Sequence, residues 1–276
     1  MNWLTTIINK LNNYDKVVTE NNTLRKNNKE LKNSNDSLKE NDKLLTEQMA
    51  LLIIENDNLR VKGKTKHDSL TVYHDYLKTI PKKSVRYNFG KGYKEVHTIF
   101  KDSLKDEAVI KSFIKDDLGF DGSEFKSADA LVLSLSMAFS AKYPTVRYYA
   151  SDKELYGKVE YWALAKQTIA KLHRGGKAYD CDDVMVLKYS MLYYLLKEFF
   201  PADLWRLRGF IVDLWSGGGH AILGWVKDGV NDFVPIETTF RDDSQRKIWA
   251  NNYTLRNSMF YSIRYSFDKD GEYVKF

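Results

Sequence analysis

The sequence predicts an α+β fold, in which helices precede an antiparallel sheet, behind a separate N-terminal coiled coil. Over residues 94–117, apolar residues recur mostly at steps of three and four, the spacing of a helix with one buried face, and further helical runs follow before Pro201. After Pro201, alternating apolar runs separated by turn residues indicate strands. Runs of helices followed by runs of strands are typical of α+β domains.

The N-terminal coiled coil is predicted by a leucine-zipper register. The apolar positions that recur every seven residues are Val17, Leu24, Leu31, Leu38, Leu45, Leu52 and Leu59. Polar residues, mostly Asn, lie three positions before them, and a buried Asn there specifies two-stranded pairing at a cost in stability. We therefore expect residues 1–60 to form a coiled coil. Residues 10–60 should hold a homo-oligomer, with a dimer favoured over a trimer or a heteromeric partner.

Loss of the heptad near Gly63 marks residues 61–90 as a linker and lead-in, followed by the main domain over residues 91–276. Within that domain we expect a helix over 94–117 that breaks near Asp106. Further helices are expected over 129–141 and 154–172, and a hairpin around residues 268–271.

Cys181 is the only cysteine, so an internal disulfide is excluded. It follows a glycine-bearing loop and directly precedes an apolar run typical of a helix. The first turn of a helix has unpaired backbone N–H groups and the positive end of the helix dipole, which both favour a thiolate. Cys181 is therefore either a nucleophile or a small buried hydrophobic residue.

A predicted hairpin brings a histidine and a carboxylate together. Asp228-Gly229 is a strong signal for a two-residue turn between a strand within 217–226, which follows a flexible approach, and a strand over 231–239. With that turn, His220 lies directly opposite Glu237, at a distance where a carboxylate orients an imidazole. Pro235 has no N–H to donate, so its strand should lie at a sheet edge or be irregular. Without a catalytic role, His220 would be a structural histidine and Glu237 a solvated carboxylate.

Three acidic residues, Asp180, Asp182 and Asp183, surround the cysteine. They lack the spacing and glycine of a calcium-binding EF-hand loop. We interpret them as residues that complement the helix dipole, one of them capping the helix. No metal or other cofactor is predicted. Their charge should raise the pKa of the thiol, so protonated His220 is the more plausible activator.

These motifs resemble the transglutaminase-like cysteine enzymes of the papain-like class, particularly short bacterial and phage forms. The resemblance is carried by Tyr179-Asp180-Cys181-Asp182-Asp183, by Gly219-His220-Ala221 and by Ile236-Glu237-Thr238-Thr239, in the family's order of cysteine, histidine and acid. Tyr179 departs from the family's usual glycine, and Glu237 from its commoner aspartate. The resemblance implies a papain-like fold and a triad of Cys181, His220 and Glu237. Trp162 is by itself expected to be a core residue, and the resemblance raises the alternative that it lines the substrate cleft. By its spacing, Gln167 is a further candidate, as an oxyanion donor.

Composition excludes several other classes of protein. The net charge of +6 is spread through lysines that alternate with Asn, Asp and Glu. No zinc-finger spacing or arginine-rich arm indicates a nucleic-acid partner. One cysteine argues against a disulfide scaffold. The N-terminus is not typical of a signal peptide or a membrane span, so we expect a cytoplasmic protein, virion-associated if a phage encodes it.

Two functions remain open at this stage. The first is cysteine-dependent acyl transfer on a peptide or amide bond, with hydrolysis or protein crosslinking as the outcome, on a protein or peptide substrate. The second is a non-enzymatic structural or adaptor protein, such as a phage virion component, that uses the same domain as a binding module. The zipper favours the second function, because an ordinary soluble hydrolase has no need of it.

Overall fold

The structure is a computed structural model that describes residues 21–36, 66–80, 86–88, 93–158, 160–214, 217–230, 232–238, 242–257 and 261–274. The chain divides into two compact units, Met1–Ile53 and Ile54–Phe276. Among the helices of these described ranges, none is both long and apolar enough to cross a membrane.

In the first unit, residues 21–36 form an exposed helix, α1. Leu24 is 58% exposed and Leu31 is 67% exposed. Because residues seven apart lie on one side of a helix, the two leucines form an apolar stripe. The rest of the predicted coiled coil lies outside the described residues, as do residues 61–65, 81–85 and 89–90 of the linker. The pairing of this helix stays a prediction.

The second unit begins with helices and ends with strands, which confirms the α+β prediction. Its helices are α2 (Lys66–Lys78), α3 (Val96–Ser103), α4 (Glu107–Ser112), α5 (Ala128–Lys142), α6 (Thr145–Tyr148), α7 (Asp152–Tyr156), α8 (Ala165–His173), α9 (Cys181–Phe199) and α10 (Asp242–Ala250). A π-helical turn, Phe113–Asp117, continues α4, and two 3₁₀ turns span Gly122–Glu124 and Pro201–Arg206. The break that we expected near Asp106 separates α3 from α4, where Asp106 precedes the first residue of α4.

The strands of the second unit are β1 (Arg86–Asn88), β2 (Tyr93–Glu95), β3 (Leu207–Leu214), β4 (Gly219–Val226), β5 (Phe233–Ile236), β6 (Tyr261–Asp268) and β7 (Gly271–Val274). β1 and β2 pair with each other, and the others form a five-stranded sheet in the order β5-β4-β3-β6-β7. All pairs of this sheet are antiparallel. The hairpin predicted around 268–271 is confirmed, with Asp268 paired to Gly271.

Helices pack on both faces of the sheet. On one face, Tyr73 and Leu77 of α2 join a buried cluster with Phe210 and Phe233. On the other face, Phe100 of α3 stacks on Tyr189 of α9 with ring centroids 4.1 Å apart. Because successive strand residues point to opposite faces, the nearly continuous burial of β3 and β4 means that these two strands are covered on both faces of the sheet. Helix α2 begins inside the segment interpreted as a linker, and its apolar residues belong to the core.

The single helix predicted over 154–172 is wrong, because two shorter helices replace it. Gly157 ends α7 in the left-handed conformation (φ 68°), which glycine adopts at little cost. Between α7 and α8, carboxylates from elsewhere take up the backbone N–H groups: Asp152 accepts from Tyr161, and Asp183 accepts from Ala163 at 2.8 Å. These tertiary bonds replace the helical ones and hold the segment against α9.

Candidate active site

Cys181 is the first residue of α9, as the sequence indicated. The approach to it is fixed by backbone bonds to the segment before α7. The Ala178 N–H donates to the Tyr148 carbonyl at 2.8 Å, and the Ala150 N–H donates to the Tyr179 carbonyl at 2.7 Å. The cysteine is therefore presented from a braced loop at the start of a long buried helix.

The Cys181 thiol lies against the start of β4. Burial raises its pKa to about 12, and the charge of Asp180 contributes to that rise. The backbone N–H groups of Ala221 and Asp182 act in the opposite direction by donating to the sulfur. The acidic neighbours therefore raise the pKa of the thiol as expected, and burial raises it more.

His220 and Glu237 are in contact. The imidazole Nε2 lies 3.4 Å from the Glu237 Oε2, with both side chains buried. His220 directly precedes Ala221, whose backbone N–H reaches the Cys181 sulfur. The structure thus brings the cysteine, the histidine and the carboxylate of the predicted triad to one end of the sheet.

The predicted register of this hairpin is wrong by two residues. Trp225 pairs with Val234 and Val226 with Phe233, so the connection spans residues 227–232 instead of two residues. Contacts with distant residues hold the longer loop: Asp129 accepts from the Asp228 N–H at 2.9 Å. Because side chains alternate with a period of two, a two-residue shift leaves them on the same face. β5 is an edge strand, as Pro235 predicted.

The acidic residues around Cys181 form a cluster with the loop that joins α7 to α8. The carboxylates form two groups of three, and within each group one oxygen of every member lies within 4.8 Å of the others. The groups are Asp152, Glu160 and Asp182, and Asp180, Asp182 and Asp183. Asp180 precedes α9 but its side chain makes no capping bond, so the capping interpretation is wrong for this residue. The carboxylates converge on one another instead, because Asp152, the first residue of α7, and Glu160, in the loop after α7, both lie at the start of α9.

The cluster has the donor set of a site for a hard cation. Asp152, Asp180 and Asp182 each keep one buried oxygen that has no hydrogen-bond partner among the described residues. Burial, followed by the charge of Asp180, raises the pKa of Asp152 to about 7 and raises the pKa of Asp182 well above its ordinary value. Carboxylate oxygens are the ligands that Ca²⁺ prefers, and a bound divalent cation would remove this repulsion. The residues present therefore fit such an ion.

The two secondary candidates have structural partners. Trp162 is 1% exposed, and its indole N–H donates to Glu160 at 2.9 Å. Gln167 caps α8: its side-chain oxygen accepts from the Leu164 N–H at 2.8 Å, and its amide nitrogen donates to the Tyr161 hydroxyl at 3.3 Å. Their roles in substrate binding and oxyanion stabilisation stay predictions.

Sequence reasoning missed two further groups near the site. Tyr149 lies near the thiol, since burial and then the charges of Cys181 and Asp180 raise the pKa of its phenol. Its isolated bridge to Tyr179 is a long-range pairing that no local pattern indicates. Lys188 reaches the backbone of Glu237. It is the only charged residue from Val184 to Leu196, a signal that was available in the sequence.

Comparisons with known proteins leave the family open. No family model matches the chain. No curated protein matches it. Among solved structures, Legionella pneumophila LapG is 18% identical, with a TM-score of 0.37, over 65% of this chain and 87% of that one. EGTA-treated LapG is 17% identical, with a TM-score of 0.37, over 65% and 84%. Calcium-bound LapG is 16% identical, with a TM-score of 0.35, over 60% and 87%.

Proposed function

We propose that this chain is a cysteine-dependent acyl transferase that acts on peptide or amide bonds. The observation that carries the proposal is the contact of the His220 imidazole with Glu237, 3.4 Å apart, beside a strand residue whose N–H reaches the Cys181 sulfur. A nucleophile, a base and a group that orients the base are the parts that this chemistry needs. The resemblance of the motifs to transglutaminase-like enzymes supports the same assignment.

In the proposed reaction, Glu237 accepts a hydrogen bond from the Nε2–H of His220. The other ring nitrogen, Nδ1, takes the thiol proton as the sulfur bonds to the substrate carbonyl carbon. Backbone N–H groups in the first turn of α9 stabilise the oxyanion. His220 then protonates the leaving amine as the C–N bond breaks, which leaves a thioester on Cys181. Water resolves this thioester in a peptidase or amidase, and a substrate amine resolves it in a crosslinking enzyme.

We also propose that the acidic cluster binds a divalent cation, with Asp152, Glu160, Asp180, Asp182 and Asp183 as the residues that would hold it. When bound, the cation would supply positive charge next to the thiol. Asp180 raises the pKa of the Cys181 thiol, and neutralising this carboxylate removes that effect. The ion would also relieve the repulsion among buried carboxylates, so it should stabilise the fold.

The test of the proposed function is the reactivity of Cys181 toward iodoacetamide. At about pH 6.5, an ordinary cysteine with a pKa of about 8.5 is about 1% thiolate. We expect the native chain with Ca²⁺ to react at least about tenfold faster than the denatured chain, because His220 removes the proton. EGTA should slow the native rate. Since Cys181 is the only cysteine, Cys181→Ala is the blank. A native rate below that of the denatured chain, with Ca²⁺ present, would contradict the proposal.

We propose that the enzyme works as an oligomer held by the N-terminal segment, a dimer being favoured. The supporting observation is the exposed stripe of Leu24 and Leu31 on α1. Replacing both leucines by lysine should dissociate the full chain, since charge at these heptad positions opposes helix pairing. Sedimentation velocity measures the change. The control, Asn22→Lys with Asn33→Lys, adds the same charge away from the stripe and should leave the oligomer intact. Equal sedimentation of wild type and the leucine variant as monomers would exclude the pairing.

A further inference from the structure

Glu237 lies just beyond the end of its strand. The last pair between β4 and β5 joins Leu223 to Ile236. The backbone of Glu237 therefore lies outside the ladder of hydrogen bonds that holds β5 against β4. A carboxylate that orients an imidazole must itself be held in place, because a misplacement of about 1 Å in an active site costs up to about a hundredfold in rate.

Two side chains hold the main chain of Glu237 instead of the ladder. The Lys188 Nζ donates to the Glu237 carbonyl at 2.8 Å. The Gln245 side-chain oxygen accepts from the Glu237 N–H at 2.6 Å. The amide nitrogen of Gln245 donates to the Pro235 carbonyl at 3.0 Å, so Gln245 spans the end of the strand. Lys188 and Gln245 together act as a clamp on this one residue.

Burying the ammonium group of Lys188 costs solvation free energy. Lys188 is 2% exposed, and it also donates to the hydroxyls of Ser136 at 3.1 Å and Ser140 at 3.4 Å. Its Nζ lies 5.3 Å from the centre of the Phe139 ring. Burying an ammonium group is expensive even when it is hydrogen-bonded, and an apolar residue of similar size often serves stability as well. A role in the site is a reason for lysine at this position.

Lys188 also connects the nucleophile to the acid. It lies seven residues after Cys181 on α9, so both lie on one side of the same rigid helix. α9 thus carries the thiol at its start and fixes the main chain of the carboxylate about 10 Å further along, at 1.5 Å per residue. Gln245 brings the third element, α10, into the same arrangement.

We propose that Lys188 and Gln245 are positioning residues, which keep the Glu237 carboxylate against His220 by clamping the Glu237 main chain. This inference rests on the proposed function for its consequence, but the clamp itself has a readout independent of activity. In the full chain with ¹⁵N-labelled histidine, the Nε2–H of His220 should give a slowly exchanging NMR signal, assigned by its loss in His220→Ala. The signal reports the contact with Glu237 directly.

The variants are Lys188→Met and Gln245→Leu, each of which removes one side of the clamp. Both should shift or broaden the His220 signal and slow alkylation of Cys181 by about tenfold, part of the effect expected of a displaced catalytic group. Gln245→Glu keeps an oxygen acceptor for the Glu237 N–H but loses the donor to the Pro235 carbonyl, so it should recover the signal only in part. The control is Leu192→Ala, a buried residue on α9, which should lower stability and leave the signal unchanged.

A double-mutant comparison separates positioning from general destabilisation. In a Glu237→Gln background, Lys188→Met should slow alkylation by less than about twofold further, because residues that act through one group are not additive. An unchanged His220 signal in both folded clamp variants would overturn the inference. So would an additive loss in the double mutant. If the signal moves while wild-type Cys181 is unreactive, the clamp stands and the proposed function fails.

Discussion

Replacing His220 by alanine is expected to slow alkylation of Cys181 at about pH 6.5 by about a hundredfold, the lower end of what a positioned base contributes. Burial and Asp180 raise the pKa of the thiol to about 12, so without its base the thiol stays protonated. The rate should rise with pH through the alkaline range, because the thiolate fraction grows as the pH approaches the raised pKa of the thiol. Iodoacetamide labelling followed by mass spectrometry measures the rate.

The control for this variant is His173→Ala. His173 lies on α8 with its Nε2 3.0 Å from Asp117, an exposed histidine–carboxylate contact in another part of the domain. It should leave the rate unchanged. An equal rate in wild type and a folded His220→Ala would mean that Cys181 is activated by another group, or not at all.

The second large effect is expected from Glu237→Gln, which should slow alkylation by about ten- to a hundredfold. A neutral amide still accepts a hydrogen bond from His220, but it does not stabilise the imidazolium that forms when the thiol proton moves. Loss of a charge-assisted bond costs about 1.5–3 kcal/mol, which corresponds to this change in rate.

Glu237→Asp should be milder, because the charge remains and the family that the motifs resemble commonly uses the shorter acid. Glu198→Gln provides a matched comparison, since it makes the same exchange at an exposed carboxylate of α9 and should leave the rate unchanged. A Glu237→Gln rate within about twofold of wild type would reduce the set to Cys181 and His220, since the effect would then be under about 0.5 kcal/mol.

The sequence was sufficient for the elements that local chemistry determines. A glycine-bearing loop before an apolar run placed Cys181 at the start of α9. Alternation around a turn signal placed β4, and Pro235 indicated an edge strand. These features depend on neighbours within a few residues, where backbone preferences and side-chain periodicity act directly.

The features that could not be predicted depend on partners far along the chain. The loop after β4 is held in its longer form by Asp129, which accepts a hydrogen bond from the Asp228 N–H, 99 positions away in the sequence. The segment before α8 is extended because Asp183 accepts from Ala163. Each replaces a local hydrogen bond by a tertiary one, and no local pattern records that exchange. The predicted proximity of His220 and Glu237 survives the two-residue error in register, because side chains alternate along a strand and a shift of two keeps them on the same face.

The edge strand β5 carries a second consequence. An uncovered edge offers free N–H and C=O groups to any extended chain, which invites aggregation or the addition of a foreign strand. Pro235 removes one donor from this edge, and the Gln245 side chain occupies the carbonyl of Pro235 and the N–H of Glu237. These backbone groups are therefore not available to pair with an added peptide strand along β5. If α10 detached, the backbone groups at the β5 edge would be exposed and Glu237 would lose its contact with Gln245. Loss of activity and the onset of self-association should therefore result from the same local unfolding event.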